Sequence, residues 1–244
     1  MPARLNSRYQ RVLLKLSGEA LQGQDDPICR QTFSRLAADI QALLKANVQV
    51  AIVIGGGNWS RGRDLQKDGV HQHSADQMGM LFTVVNGLAL RDLFAQSGIP
   101  ADILSSINMP GFVPDYRRDK AVKSLSEGKA LILCGGTGET LFTTDTAAAQ
   151  RAIEIEADIL LKASTVDGVY DADPRQVKTA KKFKKLDYQR VIRDRLQVMD
   201  MAAFCLCEQH AMPIYVFDFN APEALLDAVS EQSLGTMIQG ENHD

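Results

Sequence analysis

The 244-residue sequence is short of several things, and each shortage removes a class of function. Its four cysteines, Cys29, Cys134, Cys205 and Cys207, show neither metal-finger spacing nor a redox Cys-x-x-Cys, which argues against a zinc module or a thiol oxidoreductase. Cys134 ends an apolar run and reads as a small core residue, and reduced thiols fit a cytoplasmic protein. No apolar run approaches the roughly 18 residues that a membrane-spanning helix needs. Residues 1–8 lack the apolar centre of a signal peptide. Positive charge is not in excess: the net charge is −3, which argues against a nucleic-acid partner held by bulk electrostatics. Lys178, Lys181, Lys182, Lys184 and Lys185 are a local exception, read as solvated surface with a ligand or subunit contact as the alternative. The P-loop pattern is absent, because Gly18 and Gly23 have the spacing but Gln24-Asp25 follow, and no G-x-G-x-x-G occurs. A P-loop kinase and an ordinary dinucleotide enzyme are thereby disfavoured.

What is present is core material, 45% apolar, arranged in alternating periods. Strand-like runs fall at residues 12–16, 48–54, 101–104, 130–134, 158–161 and 214–217. Between them, residues 31–46 place Phe33, Leu36, Ala37, Ile40, Leu43 and Leu44 at helical spacing. Residues 74–96 read as a long helix with a kink at Asn86-Gly87, and 144–157 as a helix capped near Thr144-Asp145-Thr146. Near-continuous apolar strands alternating with helices predict an α/β fold: a mostly parallel central sheet covered on both faces, a three-layer α/β/α sandwich. The turn-rich stretch 167–174 reads as an exposed loop.

Two strands run directly into glycine: Val48 to Ile54 into Gly55-Gly56-Gly57, and Ala130 to Cys134 into Gly135-Gly136-Thr137-Gly138. Open amides at the carboxyl end of a strand favour an anion, usually phosphate, so two junctions imply two phosphorylated ligands side by side. Lys15, before Leu16-Ser17-Gly18 at the end of the first strand, is either a cation over a transferring phosphoryl group or a solvated lysine. Arg61 either forks onto phosphate oxygens or forms a surface ion pair. Asp76 either binds a vicinal diol such as ribose or merely complements a helix dipole. His71 and His73 read as solvated loop histidines. In residues 137–145, hydroxyls and amides suit a phosphate, Phe142 packs on a base or on the core, and Asp145 either orients Lys15 and another cation or caps a helix.

Together these segments resemble the uridylate kinase (UMP kinase) group of bacterial amino-acid kinases. The likeness is carried by RVLLKLSGEALQG, VAIVIGGGN with a following RG, ADQMGML, NGLALRD, GTGETLFTTD, EIEADILLKAS, VDGVYDADP, VMDMAAF and MPIYVF, and runs from about Tyr9 to Ile238. The resemblance implies the amino-acid kinase fold as one domain, with residues 1–156 mainly holding UMP and 157–244 mainly holding ATP. It implies ATP contacts at Lys15, Leu16, Ser17, Gly18, Gly57, Arg61, Ser164, Tyr170 and Asp173. For UMP it implies Gly56, Asp76, Thr137, Gly138, Glu139, Thr140, Leu141, Phe142, Thr143 and Thr144. Lys15, Arg61 and Asp145 would carry catalysis, and Mg²⁺ would accompany ATP with few or no protein ligands. A homohexamer activated by GTP and inhibited by UTP is also implied, with no membrane or nucleic-acid partner.

The sequence departs from the family pattern in three places. Glu139-Thr140-Leu141-Phe142 replaces an Asn-Pro-Phe-Phe-type stretch, Thr165 stands where lysine or asparagine is frequent, and residues 23–29 lack glycines found in the segment tied to GTP activation. Because a phosphate oxygen of UMP is already nucleophilic at neutral pH, the reaction needs alignment and charge neutralisation rather than a general base. The rival expectations are a kinase acting on a carboxylate or carbamate, and a non-catalytic metal-oxide storage protein of the same fold.

Overall fold

A computed structural model describes residues 5–23, 26–196 and 198–240. Its strands are β1 (Arg11–Leu16), β2 (Gln49–Ile54), β3 (Ala101–Ser105), β4 (Ala130–Cys134), β5 (Ile159–Ser164), β6 (Lys185–Leu186), β7 (Ile214–Asp218) and β8 (Thr236–Ile238). Its helices are α1 (Arg30–Lys45), α2 (Gly62–Lys67), α3 (Gln72–Gln96), α4 (Arg118–Ser126), α5 (Thr144–Glu154), α6 (Tyr188–Arg193), α7 (Met201–Gln209) and α8 (Ala224–Val229). The strands form one eight-stranded sheet in the order β3-β4-β2-β1-β5-β7-β8-β6. Every neighbouring pair is parallel except β7 with β8.

The period of two along each strand sorts side chains between two cores. Leu14 and Leu16 of β1, Ile52 and Ile54 of β2 and Leu161 of β5 pack with Phe33, Leu36 and Ile40 of α1 and with Val84 and Phe94 of α3. Leu13, Val53, Leu133 and Leu160 face the other way, onto Ala147, Ala148 and Ala152 of α5 and Phe204 of α7. Alanines at the α5 contact let that helix lie close on the sheet. The three layers expected from the sequence are therefore present.

β1 is the point where the chain reverses its direction of growth: β2 lies on one side of it and β5 on the other. In an open parallel sheet the crevice at the carboxyl ends of the strands beside such a point is where ligands bind. The segments after β1, β2, β4 and β5 all emerge there.

Several local expectations change. α3 starts at Gln72 and runs unbroken through Asn86-Gly87, and Asn86 is fully buried and hydrogen-bonded. By length and mean composition α3 is long and apolar enough to cross a membrane, although polar residues interrupt it and it contains no continuous apolar run of 18 residues. Here it lies against the sheet, with Gly87 over Ile103, Ile132 and Cys134. The stretch 167–174 is a loop, but Gly168 and Val169 in it are buried, and the Val169 amide donates to Thr236 Oγ1 at 2.9 Å. Gln24 and Asp25, in the segment tied to GTP activation, lie outside the described residues.

Candidate active site

Lys15 follows Leu13 on the same face of β1, so its side chain points toward α5. In β5, Lys162 follows Leu160 in the same way, and the two lysines sit opposite one another in register, Lys15 with Lys162. Adjacent strands are only about 4.8 Å apart, so two ammonium groups placed like this repel. Asp145, in the first turn of α5, resolves the conflict. Lys15 Nζ lies 2.7 Å from Asp145 Oδ1 and Lys162 Nζ lies 2.5 Å from Oδ2. The Lys162 contact is a hydrogen bond, whereas Lys15 meets Oδ1 as an ion pair outside hydrogen-bond angles. The three side chains are only 11–13% exposed.

Burial disfavours the Asp145 carboxylate, but the Lys15 and Lys162 charges outweigh it and hold the carboxyl below its usual range. Burial, and then the charge of Lys15, pull the Lys162 ammonium below the ordinary lysine range, and Asp145 offsets only part of this. The result is a net positive centre, little hydrated, at the end of two strands. Such a centre is suited to an oxyanion or a migrating phosphoryl group.

The first glycine junction wraps one side of this centre. Ser17 caps a short 3-10 turn, Gly18–Leu21, its Oγ accepting from the Ala20 amide at 3.2 Å. Gly18 lies so close to the next strand end that a Cβ there would stand 2.4 Å from Asn58 Oδ1 and 2.6 Å from the Gly57 nitrogen. Gly56 packs as tightly on α3, where a Cβ would meet Phe82 Cβ at 2.6 Å. Among the described residues the Gly56 and Gly57 amides donate to no acceptor, which leaves them open to an anion. Leu16 contributes backbone only: its side chain is core, and its carbonyl accepts from the Gly55 amide at 2.9 Å.

Arg61 sits at the rim, not with Lys15. It stands before the first turn of α2, and its guanidinium pairs with Glu19 at 2.7 Å, half exposed. Glu19 itself lies over Gly57.

The second junction follows β4. Ser106 Oγ donates to the Gly136 carbonyl at 2.8 Å, and the buried Arg151 donates to Ser106 Oγ at 2.9 Å. Thr137 Oγ1 accepts from the Glu139 amide at 3.1 Å, and Glu139 is exposed. Leu141 and Phe142 are 73% and 52% exposed at the mouth, so Phe142 is not a core residue. Thr143 caps α5, and Thr144 Oγ1 faces Gly55 across the crevice. Asp76 ties this loop to α3, its Oδ2 accepting from the Leu141 amide at 2.9 Å. Since α3 begins at Gln72, Asp76 is in its second turn, which weakens the dipole alternative.

Ser164, Tyr170 and Asp173 line a cleft of about 580 Å³ that reaches Lys162 at its inner end, with Leu196 and Val198 as apolar wall. Tyr170 donates to Asp167 at 2.7 Å, and Thr165 accepts from Arg175 at 2.6 Å. His71 and His73 are exposed at the start of α3, His71 Nδ1 accepting from the His73 amide.

Two residues escaped the sequence reading. Lys162 had a signal: Leu160-Leu161-Lys162-Ala163-Ser164 echoes Leu13-Leu14-Lys15-Leu16-Ser17. Asp200 had a weaker one, an acidic residue just before a helix. It caps α7 through the Ala203 amide and accepts from Thr143 and Thr146, which pins the end of α5 that carries Asp145.

With this geometry in view, the comparisons with known proteins are specific. The model of the amino acid kinase family matches residues 10–218. The chain belongs to the amino acid kinase family. It is 48% identical over 238 residues to the uridylate kinase of Stutzerimonas stutzeri, covering 97% of this chain and 96% of that one. It is likewise 48% identical to the uridylate kinase of Coxiella burnetii, covering 94% and 95% of the two chains. Among solved structures, the UMP kinase of Bacillus anthracis superposes with a TM-score of 0.92 at 36% identity, covering 96% of this chain and 97% of that one. The UMP kinase of Ureaplasma parvum superposes with a TM-score of 0.90 at 32% identity, covering 95% and 99%.

Proposed function

We infer that the chain transfers the γ-phosphoryl group of ATP to UMP, giving ADP and UDP. The observation that carries this reading is the paired lysine centre, Lys15 and Lys162 on Asp145, standing beside a glycine junction whose Gly56 and Gly57 amides are open. Near-full-length likeness to uridylate kinases supplies the acceptor.

In this reading ATP lies in the cleft of Ser164, Tyr170 and Asp173, with its phosphates reaching Ser17, Gly18 and Gly57. UMP lies along Gly56, Asp76 and residues 137–144. The two lysines neutralise charge on the migrating group while the nucleotides are held in line. Arg61 joins by exchanging Glu19 for a phosphate. The divalent ion arrives on the ATP phosphates as part of the substrate. Asp145 has both oxygens engaged by lysines, so in this reading Mg²⁺ is held chiefly by phosphate and water. The same reading includes a cytoplasmic homohexamer with GTP activation and UTP inhibition. The apolar side chains of Leu81 and Val85, exposed on α3, support self-association.

A coupled assay of ADP release tests the function. UMP supports turnover, while glutamate, aspartate and carbamate do not; turnover of a carboxylate without UMP refutes the assignment. Running UMP, dUMP and CMP with and without GTP or UTP reads selectivity and regulation together.

Two further results are expected. Asp76→Asn raises the KM for UMP more than that for ATP, because a neutral amide accepts more weakly than the carboxylate, both from the Leu141 amide and from the ribose hydroxyls; the opposite pattern means the two pockets are exchanged. On the alkaline side, kcat/KM falls below the ordinary lysine range, since free Lys162 gives up its proton early. Bound phosphates raise that pKa again, so kcat falls at a higher pH than kcat/KM. Coincident limbs in the ordinary lysine range would remove Lys162 from the mechanism.

A further inference from the structure

α3 carries two buried polar side chains for which the chemistry above has no use. Thr83 is 4% exposed and Asn86 0%. Three residues apart, they share one face of the helix, and that face meets both glycine junctions. Thr83 Oγ1 accepts from the Gly135 amide at 2.7 Å and donates to the Met80 carbonyl at 2.6 Å. Asn86 Nδ2 donates to the Gly55 carbonyl at 2.7 Å and to Asn58 Oδ1 at 2.7 Å. Asn86 Oδ1 accepts from Asn58 Nδ2 at 3.0 Å and from the Trp59 indole at 2.8 Å. Neither residue type favours a helix interior, and burying either one without partners is costly. Here the hydroxyl and the amide are both partnered, chiefly to the loops that end β2 and β4.

We propose that Thr83 and Asn86 are positioning residues: one turn of α3 fixes the separation and orientation of the two glycine junctions, so that the phosphoryl group and its acceptor meet in line. This rests on the proposed phosphotransfer. Each junction binds its own ligand through its own amides. The α3 turn determines only how the two relate, so loosening it spares each affinity and slows the transfer. A displacement of about 1 Å is enough for a loss on the order of 10²-fold in rate.

Thr83→Val keeps the shape and removes the acceptor; Thr83→Ser keeps the oxygen and drops the methyl group. Three quantities separate the outcomes: kcat at saturation, the Kd of ATP and of UMP measured singly by calorimetry, and hydrogen exchange at the Gly135 amide. In Thr83→Val, kcat falls by about 10-fold or more while each Kd stays within about 3-fold, and Gly135 exchanges faster. Thr83→Ser restores kcat and slow exchange. The proposal is overturned if Thr83→Val turns over normally, if its Kd values rise with kcat unchanged, or if Thr83→Ser is equally impaired, which would assign the effect to the methyl group. Thr83→Ala replaces the valine variant should that one not fold. If the wild-type protein does not phosphorylate UMP, the functional reading fails instead. Gly135 exchange then decides separately whether Thr83 holds the junction: faster exchange in the valine variant alone supports the clamp, and equal exchange overturns it.

Discussion

Lys15→Ala lowers kcat by about 10²-fold or more, the scale for losing a preorganised group that stabilises charge in a transition state. The magnitude follows from the position of Lys15. Its side chain is 11% exposed and its ammonium is held by Asp145, so no reorganisation is needed as charge develops on the migrating phosphoryl group. Water entering the vacated space replaces it poorly, because its dipoles are not arranged in advance. The variant should fold, since Asp145 keeps Lys162 as a partner and the cavity opens at the strand end rather than in the core. Arginine is not an equivalent substitute, because a planar guanidinium does not fit the place of a compact ammonium. ADP release at saturating ATP and UMP is the measurement, and unchanged turnover would remove Lys15 from its role.

Asp145→Asn has a second large effect, on both rate and stability. Without the carboxylate, two ammonium groups face each other in register on neighbouring strands, largely shielded from water. Breaking a buried ion pair by removing one partner costs about 3–5 kcal/mol. Part of that is relieved when one lysine sheds its proton, which in turn removes charge the reaction needs. We therefore expect a lower melting temperature together with a drop in kcat of about 10²-fold. The dependence on pH has a definite sign. The folded-state pKa of Asp145 is depressed, so its contribution is fully present above the unfolded carboxylate pKa and is lost as pH falls through the folded value. The stability gap between wild type and Asp145→Asn is accordingly widest near neutrality and closes in acid. A gap that widened in acid would contradict the arrangement of charges described here.

Much of this was legible in the chain itself. β1, β2, β4 and β7 announced themselves as apolar runs, and the two glycine junctions marked the ligand edge, because open amides at the carboxyl end of a strand suit an anion. The shorter elements were not legible. β6 has two residues and β8 three, too few for a periodic pattern, and α2, α6 and α8 have six each. At the site, Lys15, Asp145 and their pairing were legible, but the second cation was not, since its meeting with Asp145 depends on α5 crossing the sheet face that β1 and β5 share. Lys162 was overlooked although its strand repeats the Leu-Leu-Lys-x-Ser of β1. Neither Asn86 nor Gly87 favours a helix, yet α3 continues through both, and tertiary hydrogen bonds from Asn86 offset that preference. Arg61 is the opposite case: a cation near a glycine loop invites assignment to phosphate, but in this structure Glu19 holds it.

The most direct test is a crystal structure with UMP and a non-hydrolysable ATP analogue bound together. We expect the γ-phosphoryl group and the UMP phosphate to face each other across Lys15 and Lys162, with one glycine junction around each. Nucleotides bound far apart, or lysine side chains turned out of the gap between them, would contradict it.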